Sequence, residues 1–321
     1  MTVEAVMKAA VVTQAGASPQ YLDFPEPEAG PGEHLVDLVA AAIHPVVRSK
    51  ATGRHYSSTG AYPLVPGVDA VARAADGALV YVGGVREPWG TFAERIAAPL
   101  AAPPARGCGP RGRGGRDEPR QSSWMPLTTH VEASGAPGTV LILGPTGVAG
   151  RLAVQNARAL GAGRIIGAGR GAEALRDVRG LGAETVELSG DPQADAAALA
   201  ARLDGSTPAL VLDFLWGTAA EAAFGALSQM PGTDAVDYVE IGSVIGEGAT
   251  VPASLLRSRP FRLSGSGIGS FGMRDYVRRG RDYLQLVADK RITLDVHAFP
   301  LDRVEDAWAN ATGPRTVLTA T

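Results

Sequence analysis

Short apolar runs broken by turn residues fill the first hundred residues. Residues 8–12, 33–43, 66–72 and 79–82 each read as a strand, with Pro31-Gly32 as the turn ahead of the second. Many short strands between glycines and prolines predict an all-β, barrel-like unit. From about residue 123 to 262 the texture changes. Apolar runs at 140–143, 164–167, 209–213 and 238–241 alternate with helical stretches at 151–160, 172–180 and 219–229. Apolar strands alternating with helices predict a parallel sheet covered on both faces. A helix over 273–289 follows, then segments 296–300 and 301–309.

Composition narrows the class. A chain of 321 residues with 45% hydrophobic and 20% charged residues is long enough for two globular domains. A net charge of −3 gives no field that favours nucleic acid or a membrane surface. The first ten residues lack the basic-then-apolar pattern of a signal peptide, and no uncharged apolar run approaches the ~20 residues of a spanning helix. Cys108 is the single cysteine, which excludes an intrachain disulfide and a four-cysteine zinc site. A cytoplasmic enzyme with no nucleic-acid or membrane partner is expected.

The chemistry concentrates at residues 140–150, Val-Leu-Ile-Leu-Gly-Pro-Thr-Gly-Val-Ala-Gly. A buried strand enters a turn with glycines at 144, 147 and 150, and a helix follows. Glycine allows the tight turn and the close approach of backbone to a pyrophosphate. The helix start offers free N–H groups and a positive dipole end. Gly144, Thr146, Gly147, Val148 and Ala149 are the candidate cradle, although the spacing differs by one residue from the common G-x-G-x-x-G. A tight structural turn is the alternative. The next strand ends at Gly169-Arg170 instead of at the acid that an NAD site places against the ribose 2′-hydroxyl. Arg170 is suited to pair with a 2′-phosphate, so NADPH is the expected cofactor. A solvated surface arginine is the bland alternative.

Several motifs in order resemble the medium-chain dehydrogenase/reductase superfamily, in its zinc-free quinone-oxidoreductase-like branch. They are the opening Lys8-Ala9-Ala10-Val11, then Pro25-Glu26-Pro27 with Pro31-Gly32-Glu33, Pro66-Gly67-Val68-Asp69 and Gly90-Thr91-Phe92-Ala93-Glu94. Leu181-Gly182-Ala183 and the closing stretch from Pro300-Leu301 to Ala307-Trp308 complete them, so the likeness covers nearly the whole chain. The resemblance implies an α/β chain with a GroES-like, β-barrel-type catalytic domain plus a Rossmann doubly wound parallel sheet. The expected domains are residues 1–122 and 263–321 for the catalytic part and 123–262 for the nucleotide-binding part, with the nicotinamide in the cleft between them. It also implies a homodimer. At the family's zinc-ligand positions this chain has His44 in place of the first cysteine and Val68 in place of the histidine, so a zinc site is not expected.

The function that follows is zinc-independent, NADPH-dependent hydride transfer to a quinone or an α,β-unsaturated carbonyl, a small-molecule electron acceptor. Such acceptors spread the arriving charge themselves, so the protein has to align the nicotinamide and donate hydrogen bonds to the carbonyl oxygen. Tyr56 and His44 are the candidate donors, each with a packing role as its alternative. Gly242 and Ser243 follow a strand at the carboxyl edge of the sheet, and the resemblance suggests that they and Gly267 touch nicotinamide. Trp216 is read either as a border of the cofactor or as core. Arg48 and Lys50 are read as solvated charges, and His34, His130 and His297 as having no partner at useful spacing. Two other functions stay open: a catalytically weak NADPH-binding protein of the same fold, and a zinc-type alcohol dehydrogenase.

Residues 106–120 break the pattern, with five Arg, five Gly and two Pro in fifteen positions and no periodicity. GC-rich alanine codons read out of frame give arginine and glycine, so two compensating frame slips are one reading. A basic RNA-binding arm and a plain basic loop are the others.

Overall fold

The computed structural model describes residues 5–55, 57–101, 117–267, 269–272, 275, 278–280, 282–283, 286, 289, 291–293, 295–310 and 314–320. Tyr56, Cys108, most of the 106–120 run and much of the helix expected over 273–289 lie outside them. The chain forms two compact units, Met1–Pro119 with Gly280–Thr321, and Arg120–Arg279.

The first unit is mainly β. Its strands are β1 (Val6–Val11), β2 (Gln20–Pro25), β3 (His34–Ala42), β4 (Asp69–Arg73), β5 (Leu79–Gly83), β6 (Arg95–Ala98) and β7 (Leu100–Ala101). From the end of the chain come β14 (Val296–Pro300) and β15 (Arg315–Thr319). β1 pairs with β2, and the larger sheet runs β14-β15-β3-β4-β5-β7 with β6 also on β3. Its core is a cluster of small and branched residues, among them Val11, Val36, Leu38, Val82, Phe92, Ile96 and Leu318. β3 matches the strand expected over 33–43, and the chain leaves the sheet directly after it. Pro45 cannot continue a central strand but suits the first helical turn, so α1 (Pro45–Ala51) begins with His44 as its N-cap residue.

The second unit alternates. α2 (Asp117–Ser134) leads into β8 (Thr139–Leu143), α3 (Val148–Ala159), β9 (Arg164–Gly169), α4 (Ala172–Gly180), β10 (Glu184–Glu187) and α5 (Pro192–Leu203). Then come β11 (Leu210–Asp213), α6 (Gly217–Gln229), β12 (Val236–Glu240), α7 (Ala253–Ser258) and β13 (Phe261–Gly265). The sheet order is β10-β9-β8-β11-β12-β13, with every neighbouring pair parallel. In order of appearance this is 3-2-1-4-5-6, the doubly wound arrangement whose direction reverses between β8 and β11. The parallel sheet continues past residue 262 to Gly265.

The apolar strands bury both faces, as period-two geometry requires. Leu141 and Leu143 of β8 join one cluster with Leu199, Ala223, Phe224 and Leu227. Val140 and Ile142 join the opposite one with Leu127, Val154, Ala157 and Val178. Each buried aliphatic side chain contributes roughly 1.5–3 kcal/mol.

Candidate functional site

The switch point places two turns side by side. Gly144 ends β8 at φ +86°, a left-handed conformation that favours glycine, and its amide donates to Ala168 O at 2.8 Å. A Cβ on Gly144 would lie 3.0 Å from Leu215 Cδ2, in the turn after β11. Gly150, in the first turn of α3, is closer still: its Cβ would stand 2.1 Å from Gly144 O. Only a residue without Cβ lets α3 start directly over the turn. Gly147, the N-cap residue, has nothing within 4 Å of a Cβ position, so the helix start opens onto free space.

Helix starts differ in what fills them. The first amides of any helix lack intrahelical acceptors. At α5, Asp191 supplies one, taking bonds from Gln193 N and Ala194 N at 2.9 Å each. Ahead of α6, Asp213 Oδ1 takes Leu215 N at 2.8 Å and Trp216 N at 2.9 Å. α3 and α4 begin on Gly147 and Gly171 with no capping side chain. The positive ends of these two dipoles stay available to an external anion at the carboxyl edge of the sheet.

β9 delivers the next candidates to the same place. A Cβ on Gly169 would lie 3.4 Å from Thr146 Cγ2 and 3.1 Å from Pro145 Cδ, so the end of β9 rests on the glycine turn. Arg170 follows, exposed. Gly242 sits after β12, where its amide donates to Asp213 O at 3.2 Å and a Cβ would be 3.3 Å from Phe214 O. Gly144, Thr146, Gly147, Val148, Ala149, Gly169, Arg170, Gly242 and the exposed Ser243 thus occupy one edge of one sheet. Gly267 follows β13 in a small turn closed by Ser270, whose Oγ accepts from Gly267 N at 3.0 Å.

Two features of this edge carry no local sequence signal. Asp213 is fully buried, and Tyr238 Oη donates to its Oδ2 at 2.6 Å. Burial pushes the Asp213 carboxyl up, and the bonds from Tyr238, Trp216 and Leu215 pull it part of the way back. Burial likewise pushes the half-buried Glu240 up, reinforced by the charges of Asp213 and Glu247. Arg151, in the first turn of α3, donates from Nε to Thr146 O at 3.1 Å and from Nη2 to Asp177 Oδ2 of α4 at 2.9 Å. It straps the glycine turn to the neighbouring helix. Trp216 is partly buried and packs against the core: its ring meets Phe224 and Tyr238 edge-on, with centroids 6.1 and 6.3 Å away.

In the first unit His44 is buried at the start of α1. Its Nε2 donates to Asp69 Oδ1 at 3.0 Å, and Tyr81 Oη donates to Asp69 Oδ2 at 3.0 Å. A carboxylate acceptor fixes the proton on Nε2. Asp69 is held by strand β4, whose entry Pro66-Gly67 packs on Gly90-Thr91: Thr91 Oγ1 donates to Asp69 O at 2.9 Å. Sequence spacing did not single out Asp69 or Tyr81. Tyr56 lies outside the described residues. Arg48 is more than a solvated charge, since its guanidinium lies 4.6 Å from the Trp308 ring centroid. Lys50 pairs with Glu87 at 3.2 Å. His130 also has a partner that spacing concealed: its Nδ1 is 2.7 Å from Asp237 Oδ2. Among the described residues no group of three or more His, Cys, Asp or Glu side chains is placed to hold a metal ion. No helix among them is long and apolar enough to cross a membrane.

Known proteins agree with this architecture. No family model matches the chain. A protein of Emericella nidulans described as "Probable NADPH-dependent quinone reductase tdiC" is 30% identical over 346 aligned positions, covering 94% of this chain and 96% of the relative. The solved quinone oxidoreductase of Thermus thermophilus superposes with a TM-score of 0.78 at 24% identity, over 98% of this chain and 100% of that one. An alcohol dehydrogenase superfamily protein of Novosphingobium aromaticivorans gives 0.77 at 23% identity, over 98% and 100%. Both structures share the fold, and the curated relative extends the likeness to sequence along almost the whole length. The chain belongs to the medium-chain dehydrogenase/reductase superfamily, in its quinone-reductase-like branch.

Proposed function

We propose that the chain is a zinc-independent, NADPH-dependent oxidoreductase that reduces a quinone or an α,β-unsaturated carbonyl. The observation that carries this reading is the open helix start over the glycine turn: Gly144 at φ +86°, Gly150 closed onto it, and nothing beside Gly147. A diphosphate fits that cradle, where Thr146, Gly147, Val148 and Ala149 present backbone to it. The match to a protein described as NADPH-dependent supports the same coenzyme. When bound, NADPH supplies a hydride.

The chain's own residues bind and orient. Gly169 leaves room for the ribose, Arg170 meets the 2′-phosphate, and Gly242, Ser243 and Gly267 line the nicotinamide end. In the first unit Tyr56 supplies the hydrogen-bond donor to the acceptor oxygen; the Nε2 proton of His44, the other expected donor, is taken by Asp69, which Tyr81 also holds, so His44 keeps a positioning role. Zinc independence rests on the residues at the ligand positions, where His44 is committed to Asp69 and Val68 cannot ligate. The reading includes a cytoplasmic homodimer acting on a small-molecule acceptor.

Titration of the purified protein with NADPH and NADH, followed by a coenzyme-oxidation assay with 1,4-benzoquinone and a simple enone, tests the proposal. Tighter binding of NADPH and acceptor-dependent oxidation are expected. Binding without turnover would reduce the protein to a coenzyme binder. Failure to bind either coenzyme would overturn the reading altogether, and about one tightly held zinc per chain would overturn zinc independence.

A further inference from the structure

We propose that Arg151 is a second specificity residue for the coenzyme's 2′-phosphate, handed over to it by Asp177; this rests on the coenzyme reading above. Arg151 lies beside the seam between the glycine turn and the end of β9, the two elements from which the coenzyme reading builds its phosphate sites. Its Nε is on Thr146 O at 3.1 Å. The Thr146 methyl is in turn 3.4 Å from the Cβ position of Gly169, and Arg170 is the next residue. One guanidinium therefore sits on Thr146, and a second arginine follows directly on the glycine that rests against the methyl of that threonine.

The two arginines are engaged differently. No hydrogen bond or ion pair to Arg170 is found among the described residues, whereas Arg151 is bonded to Asp177 through Nη2 at 2.9 Å. That pair is exposed, with side chains 37% and 56% accessible, and exposed pairs add little to stability. A phosphate offers a guanidinium more charge and more acceptor oxygens than a carboxylate does. Nε holds Thr146 O while Nη2 is free to change partner, so the exchange needs no movement of the loop. NADH carries a hydroxyl at that position and leaves Arg151 on Asp177. The other charges on α4 do not intervene: Glu173 and Arg176 face each other at 3.9 Å and are exposed, and Arg179 donates to Thr185 Oγ1 at 2.6 Å. Asp177 is thus a competitor that both coenzymes meet and only the phosphorylated one displaces.

The test compares wild type, Asp177→Asn and Arg151→Gln by calorimetric titration with NADPH and with NADH. Arg151→Gln is expected to weaken NADPH about tenfold more than NADH, since both coenzymes lose the strap on Thr146 O and only NADPH loses a charge-assisted contact. Asp177→Asn is expected to tighten NADPH about threefold with NADH unchanged, since the competitor is removed. A residue that merely holds the loop gives the opposite pattern, an equal loss for both coenzymes in Arg151→Gln and no gain in Asp177→Asn. Either of those results overturns the inference. Should wild type prefer NADPH and both variants keep the full preference, this inference fails and the coenzyme reading stands. Should wild type bind neither coenzyme, both fail.

Discussion

Acidic residues at the carboxyl edge of the parallel sheet are placed at some cost. Asp213 is buried and bonded; Glu240, one strand over, is half-buried and raised by burial and by its two acidic neighbours. The sign of the consequence follows from linkage. A carboxyl whose folded pKa lies above its unfolded value of about 4.5 stabilises fully below that value, and the contribution is lost as pH rises through the folded pKa. Glutamine cannot ionise, so Glu240→Gln should melt at a higher temperature than wild type at about pH 8 and at the same temperature near pH 4. Thermal scans across that range check it, and a gap that widens toward acid would contradict the assignment. Asp213 is not open to the same trade. Truncation to alanine would strand two backbone amides and the Tyr238 hydroxyl, three donors that one carboxylate now satisfies.

Among elements, the β8–turn–α3 unit is the one that a single methyl group can break. Gly150→Ala puts a Cβ 2.1 Å from the backbone oxygen of Gly144, which has no flexible side chain to give way, so the helix start must lift off the turn. A loss of about 1–3 kcal/mol in stability is expected from the overpacking. Coenzyme affinity should fall about a hundredfold as the amides lose their aim; chemical denaturation and titration measure the two separately. This unit was legible in the sequence because each of its parts is local: four apolar residues, three glycines at fixed spacing, a helix closed by Gly161. Elements whose pattern is weak are not legible in it. β10 reads Glu-Thr-Val-Glu and buries only Val186, as an edge strand does, and β13 reads Phe-Arg-Leu-Ser-Gly with most side chains exposed. α5 carries a usable local signal, Asp191 as cap with Pro192 in the first turn. Arg151–Asp177, Asp213–Tyr238 and His44–Asp69 join residues about 25 positions apart, so no window of local pattern contains both partners.

At the scale of the whole molecule the two units depend on chain continuity in different ways. All six strands of the parallel sheet come from one uninterrupted stretch, β8 to β13. The first unit draws on both ends of the chain. β15 is inserted between β14 and β3, with Val317, Leu318 and Thr319 paired to Ala42, Ala41 and Ala40. Leu301, Val304, Ala307 and Leu318 are all buried in its main cluster. Deleting residues 296–321 therefore removes an internal strand and uncovers the Ala40–Ala42 end of β3, whose His34–Asp37 stretch stays paired with β6, while every strand of the parallel sheet and the Gly144–Gly150 turn remain. The truncated chain should lose acceptor-dependent coenzyme oxidation and the melting transition of the first unit. It should retain a cooperative transition and bind NADPH within about tenfold of wild type. Circular dichroism melts and coenzyme titration read the two outcomes independently. Loss of NADPH binding together with the first transition would mean that the parallel sheet cannot hold its glycine turn in shape without the strands at the chain's end.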